Sequence, residues 1–182
     1  MGITMTYIRA AILSSCLLIT PTMALQSGDF IYEINASDTN TVTITGFSST
    51  NEVVIIPENI EGRTVLAIGD SAFFSTSISD VTIPDSVLSI GNLAFDYCGN
   101  LATVVIGNSV TNIGGRAFEA CISLTNVTIG SNIISIGAHA FGECDQLTSI
   151  TIPDSVEFIG ENAFYLCLNL SSVIMGNNVT SI

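Results

Sequence analysis

Side chains capable of chemistry are few in this sequence, and most of them recur at one spacing. Cys98, Cys121, Cys144 and Cys167 stand 23 residues apart, and a fifth cysteine, Cys16, lies near the N-terminus. The single histidine is His139. A metal centre needs sulfur, imidazole or carboxylate ligands converging on one point. One cysteine per 23-residue unit and a solitary imidazole do not converge, so neither a metal nor a cofactor is expected. A Ser-His-acid arrangement would have to use His139, whose counterparts in neighbouring units are Leu93, Arg116 and Asn162. So variable a slot reads as an exposed position. Two-carboxylate glycoside hydrolysis would fall to Asp85 with Asp154, or to Glu143 with Asp145, and these read as turn and solvated residues. The glycines recur in corner slots and form no phosphate loop. Catalysis is not expected. The preferred reading of the cysteines is a ladder of small buried thiols. A disulfide between stacked units is also compatible with a rise of about 5 Å per strand, and export would favour it.

The elements that hold these residues repeat with the same period. Phe95, Phe118, Phe141 and Phe164 keep the 23-residue step, and so do Ile83, Ile106, Ile129 and Ile152. The unit reads L-x-x-V-x-I-[P/G]-x-x-V-x-x-I-G-x-x-A-F-x-x-C. In Leu147-x-x-Ile150-x-Ile152 the last two positions alternate at period two, which turns one face of a short strand inward. A corner follows, occupied by Pro57, Pro84 and Pro153 or by Gly107, Gly130 and Gly176. Proline cannot donate to a ladder, and glycine permits an unusual bend. Next comes a second short extended stretch such as Val110-x-x-Ile113. A glycine column (Gly69, Gly91, Gly114, Gly137, Gly160) then opens the G-x-x-A-F-x-x-C segment. Its spacing predicts one helical turn laying Phe95 and Cys98 over the core. A unit this short cannot bury its own edges, so like units must stack into a solenoid, with each column becoming an internal stripe.

Both ends depart from the pattern. Residues 30–34 and 41–44 alternate as strands around a polar turn at residues 35–40, predicting an N-terminal β-hairpin that caps the first coil. Residues 58–62 look like an insertion in that coil. Residues 1–24 read as a signal peptide: Arg9, an apolar run over residues 10–19, Pro21, then Thr22-Met23-Ala24 as a cleavage pattern. So short a run falls below the roughly 20 residues needed to span a bilayer, and no transmembrane span is expected after cleavage. The expected division is therefore a signal peptide over 1–24, a capping hairpin over 25–53 and repeats over 54–182. The last repeat is incomplete, so a longer natural product is expected.

With those residues in view, the sequence resembles the BspA-like leucine-rich repeats, the 23-residue treponemal type. Segments such as Leu147-Thr-Ser-Ile-Thr-Ile-Pro-Asp-Ser-Val156 and Ile90-Gly91…Ala94-Phe95…Cys98 carry the likeness. It covers roughly residues 54–182, and the hairpin with Ile56-Pro57-Glu58…Ile60-x-Gly62 is similar to the lead-in that such proteins often carry. The resemblance implies a leucine-rich-repeat solenoid: a parallel sheet of short strands, a second extended stretch and one helical turn per repeat. It also implies an extracellular or cell-surface protein engaged in adhesion. Charge fits partners other than nucleic acid: three arginines, no lysine and sixteen acids give a net charge of −13, which repels phosphate backbones. Only 10 % of residues are charged, against roughly 25 % in average usage. The expected binding face is the outward strand positions: Asp80, Thr82, Thr103, Asn126, Thr128, Ser149, Thr151 and Ser172, interrupted by Val105 and Ile174. Cys98, Cys121, Cys144 and Cys167 with Phe95, Phe118, Phe141 and Phe164 form the expected structural ladder. The expected partner is a protein or glycan on another cell or matrix. The alternative is a spacer that presents a further C-terminal domain or anchor.

Overall fold

The computed structural model describes residues 24–181. Apart from Ala24, the expected signal peptide lies outside them, as does Cys16. The chain opens with an antiparallel meander of β1 (Leu25–Ser27), β2 (Phe30–Ile34) and β3 (Thr41–Phe47). The turn between β2 and β3 is closed by its own polar residues. Asn35 N–H donates to Thr41 O at 3.0 Å, and Asp38 Oδ1 accepts from Asn40 N–H at 3.0 Å. β4 (Val53–Ile55) follows, then β5 (Asn59–Ile60) and β6 (Arg63–Ile68). The apparent insertion is a small hairpin of β5 on β6, whose two turn residues, Glu61 at φ 50° and Gly62 at φ 79°, are both left-handed. That is the backbone a two-residue hairpin turn requires.

Beyond it each coil gives one strand to a front sheet and a shorter one to a back sheet. The pairs are β7 (Asp80–Ile83) with β8 (Ser89–Ile90), and β9 (Thr103–Ile106) with β10 (Asn112–Ile113). Next come β11 (Asn126–Thr128) with β12 (Ser135–Ile136), β13 (Ser149–Thr151) with β14 (Phe158–Ile159), and finally β15 (Ser172–Ile174). The back sheet runs without interruption in the order β1-β2-β3-β6-β8-β10-β12-β14. The cap is thus more than a cover, because β3 pairs in parallel with β6 and starts that sheet. Register puts like on like: Ile90, Ile113, Ile136 and Ile159 are successive partners. All four side chains are buried.

The expected helical turn is not formed. The G-x-x-A-F-x-x-C segment is a chain of turns in which every fourth residue is left-handed: Leu93 and Tyr97 at φ 58°, Arg116 at 57°, Ala120 at 54°, His139 at 55°, Glu143 at 57°. Hydrogen bonding explains the preference. In a helix each N–H is spent on the carbonyl four residues earlier. Here the amides alternate: those of Asp96 and Cys98 bond back within the turn, to Leu93 O and Phe95 O. Those of Leu93, Phe95 and Tyr97 instead bond outward, to Gly115 O, Ala117 O and Glu119 O of the next coil, at 2.9, 2.7 and 3.0 Å. The third side of the solenoid is therefore also a ladder. Ala94, Phe95 and Cys98 still point inward, which is why their spacing suggested a helix.

The front sheet is interrupted. It runs β4-β7-β9-β11 and stops, and β13 pairs only with β15. The corner column gives the reason. A Cβ on Gly107 would lie 2.6 Å from Pro84 O, and a Cβ on Gly130 or Gly176 would overlap Gly107 O or Pro153 O. Close stacking at this corner thus requires the downstream residue to lack a side chain. Between the coils of β11 and β13 the downstream residue is Pro153, set on Gly130. Pro84 also follows a proline, and there the pairing survives, with Ile56 N–H still reaching Thr82 O at 3.0 Å; that corner differs in that Pro57 leads into the β5–β6 hairpin. A second link fails at the same place. The residue after each corner normally ties to the next coil: Asp85 Oδ1 accepts from Asn108 N–H at 2.6 Å, Asn108 Oδ1 from Ser131 N–H at 3.2 Å, and Asp154 Oδ1 from Asn177 N–H at 2.9 Å. Ser131 is shorter, and its hydroxyl bonds back to Asn108.

Candidate functional site

The front strip is set out by strand alternation. Asp80, Thr103 and Asn126 are register partners on β7, β9 and β11, and so are Thr82, Val105 and Thr128. Ser149 and Thr151 are paired with Ser172 and Ile174 on the separate two-stranded sheet. Thr82, Asn126, Thr128, Ser149, Thr151 and Ser172 are exposed, while Asp80 and Thr103 are half-buried. Asp80 is held by the Ser79 hydroxyl, which donates to its Oδ2 at 2.6 Å. The strip is therefore brought together in two panels. Two outward positions escaped the sequence reading, Val53 and Ile55 on β4, 64 % and 72 % exposed. Their signal was the alternation of Val53-Val54-Ile55, hidden inside an unbroken apolar run.

Behind the strip the repeated side chains satisfy one another. The rings of Phe95 and Phe118 are 5.1 Å apart and 2° from parallel; Phe118–Phe141 and Phe141–Phe164 follow at 5.3 and 5.7 Å. The stack extends through Phe73 to Phe47 and Phe30 of the cap, at 4.7, 5.1 and 5.6 Å. Each of the four repeat cysteines is free, and its thiol faces the carbonyl of the phenylalanine in the preceding coil. Cys98 donates to Phe73 O at 3.1 Å, Cys121 to Phe95 O at 3.2 Å, Cys144 to Phe118 O at 3.3 Å and Cys167 to Phe141 O at 3.0 Å. In the first coil Thr76 takes the cysteine slot and donates to Phe73 O at 3.0 Å. Burial pushes the Cys98 and Cys121 thiols above their ordinary range, which suppresses the reactive thiolate.

The turn side carries an irregular polar cluster. His139 is half-buried, against the expected exposed position. Its Nδ1 lies 3.4 Å from Glu119, which also sits 3.5 Å from Arg116. Next to it Asp96 is buried with Oδ1 lacking a partner. Burial first, then the charge of Glu119, raises the Asp96 carboxyl to about 6. No trio of His, Cys, Asp or Glu among the described residues converges to hold a metal. Tyr97 and Tyr165 stand 60 % and 49 % exposed on this side, Tyr97 edge-on to Phe74 and Tyr165 edge-on to His139.

Comparison with known proteins fits this architecture. A leucine-rich repeat protein from Treponema pallidum superposes with a TM-score of 0.77 at 31 % identity, over 80 % of this chain and 68 % of that one. A leucine-rich repeat protein from Bacteroides ovatus gives 0.75 at 31 % identity, over 82 % of this chain and 40 % of its own length. One from Bacteroides capillosus gives 0.56 at 34 % identity, over 84 % and 97 %. No curated protein matches at a significant level. No helix among the described residues is long and apolar enough to cross a membrane. Such repeat arrays are scaffolds for protein–protein interaction. Six copies of the BspA type leucine rich repeat region match residues 66–182, and the chain belongs to that family.

Proposed function

We propose that this chain is a non-catalytic, secreted or cell-surface adhesion scaffold that binds a protein or glycan of another cell or matrix through its front strip. One observation carries the reading: Thr82, Asn126, Thr128, Ser149, Thr151 and Ser172 form a file of exposed small polar side chains on a frame whose core is occupied by self-complementary columns. A strip at strand spacing within each panel, backed by stacked rings and by unbroken rear and turn ladders, loses little freedom on binding. The acidic balance of −13 favours a neutral or basic partner surface. Residues 1–24 act as the export signal in this reading, and residues 25–53 as the cap of the array over 54–182.

The test uses the purified full chain on whole cells and on immobilised matrix proteins. Saturable binding is expected. Alanine at Thr82, Asn126, Thr128, Ser149 and Thr151 together should weaken it at least tenfold while leaving the circular dichroism unchanged. Unaltered binding by that variant removes the strip as the contact surface.

A further inference from the structure

We infer that the opening between β11 and β13 is a recognition slot for an extended polypeptide strand, bound by β-addition. This rests on the interaction-scaffold reading above and names what one part of the scaffold takes.

Five links present at neighbouring front junctions are missing here. The strand ladder is absent, and so is the side-chain tie after the corner. Thr125 N–H donates to Ala102 O at 3.0 Å and Ser171 N–H to Thr148 O at 3.0 Å, but Thr148 N–H makes no such bond to Thr125 O. The hydroxyls of Thr125 and Ser171 repeat those contacts at 3.2 Å, and that of Thr148 does not. At the corner, Ile152 N–H reaches Ile174 O at 2.8 Å, while Ile129 N–H has no partner on β13. The result is a cleft of about 340 Å³ lined by Val127, Thr128, Ile129, Thr151 and Pro153. Val127 and Ile129, whose counterparts Val104 and Ile106 are buried, are left half-exposed in it.

The chemistry of the walls selects the occupant. The edges of β11 and β13 border this opening with N–H and C=O groups that no neighbouring strand takes up, and such edges are templates for another extended chain. Val127 and Ile129 offer an apolar floor for alternate side chains, and Thr128 and Thr151 a polar rim. No lining residue is aromatic or charged, which leaves a sugar ring or an anion nothing to stack on or pair with. The volume lies at the low end of the roughly 300–1,000 Å³ typical of ligand sites, so a short stretch of strand fits. The net charge of −13 disfavours acidic flanks.

The experiment uses the full chain and a capped peptide of sequence Thr-Asn-Val-Thr-Ile-Gly-Ser, that of residues 125–131. Its control is the same peptide N-methylated at alternate amides, which keeps the side chains and removes strand pairing. Binding is read by titration, and amide exchange is read at Val127, Ile129, Thr148 and Ser149. The wild type should bind saturably, with exchange at those amides slowing at least tenfold. The N-methylated peptide should bind at least tenfold more weakly. Ser131→Asn with Pro153→Gly should close the front, protecting those amides without peptide and lowering affinity at least tenfold; Ser131→Asn alone should act in the same direction should the double variant fold poorly. Equal binding by the closed variant or by the N-methylated peptide overturns the slot. So does protection of Val127 and Ile129 in the peptide-free wild type. Cell binding through the strip without peptide binding overturns the slot alone; peptide binding without strip-dependent cell binding supports the slot and removes the adhesion reading.

Discussion

At the junction between the coils of β11 and β13, front and rear of one molecule behave differently. Behind, β12 pairs with β14, and the turn ladder continues through Phe141 N–H to Ala163 O at 2.8 Å. Ahead, two strands of the same two coils make no ladder. The apolar columns are equally regular on both sides, so core periodicity alone does not close a sheet. What differs is the pair of corner residues, a Cβ-bearing residue of the later coil set directly on a glycine corner of the usual length. The rear corner is Gly160 on Gly137, where a Cβ would overlap Ala138 N, and the front corner is Pro153 on Gly130.

The largest expected effect tests whether the rear is as tight here as elsewhere. Phe141→Ala, behind the opening, should lose about 4 kcal/mol in urea denaturation, as large aromatic truncations in cores do. It should match Phe118→Ala, behind a closed front, to within about 1 kcal/mol; a much smaller loss would mean the whole junction is loose. Next, Gly114→Ala places a Cβ 2.5 Å from the Gly91 carbonyl carbon, and backbone cannot yield cheaply. About 3 kcal/mol of destabilisation follows, and Gly160→Ala should equal it despite the open front. A Gly160→Ala protein as stable as wild type would show that the rear gives way too.

A smaller effect separates the turn side from both sheets. The folded Asp96 carboxyl titrates at about 6 against an ordinary 3.8, so the native state holds this proton more tightly than the unfolded chain. Its contribution is full below pH 3.8 and is lost as pH rises toward about 6. Asp96→Asn, nearly isosteric and uncharged, should therefore be about 2 kcal/mol more stable than wild type at pH 8 and nearly equal to it below pH 4. Denaturation midpoints at the two pH values check the sign. The smallest contrast lies along the front. Asp85→Ala removes a tie to Asn108 and should lose about 1 kcal/mol, whereas Ser131→Ala, at the open junction, should lose less than about 0.5 kcal/mol.

Much of this architecture was legible as columns. Alternation at Val104 and Ile106 gave the front strands, and the polar turn at residues 35–40 gave the cap hairpin. Three things were not. Phe47 and Phe30 join the ring stack from strands outside the repeat, so no spacing announces them. The turn chain at Ala94–Phe95–Cys98 shares its inward positions with a helical turn, and only the destination of alternate amides tells them apart. The opening at β13 is a property of neighbours, since Pro153 is ordinary within its own unit and disruptive only on Gly130. A consensus averages over that relation and erases it. Of the eight expected strip positions six are exposed, while Asp80 and Thr103 are half-buried, Val53 and Ile55 were missed, and the division into two panels was not legible.

The corner column has an evolutionary corollary. Units of one length are interchangeable cassettes, so a single codon change between glycine and proline, or a recombination that reorders units, would relocate the gap along the array while every inward stripe stayed intact. The order in which the cassettes follow one another thereby becomes heritable information about where the molecule is open, separate from what any one cassette encodes.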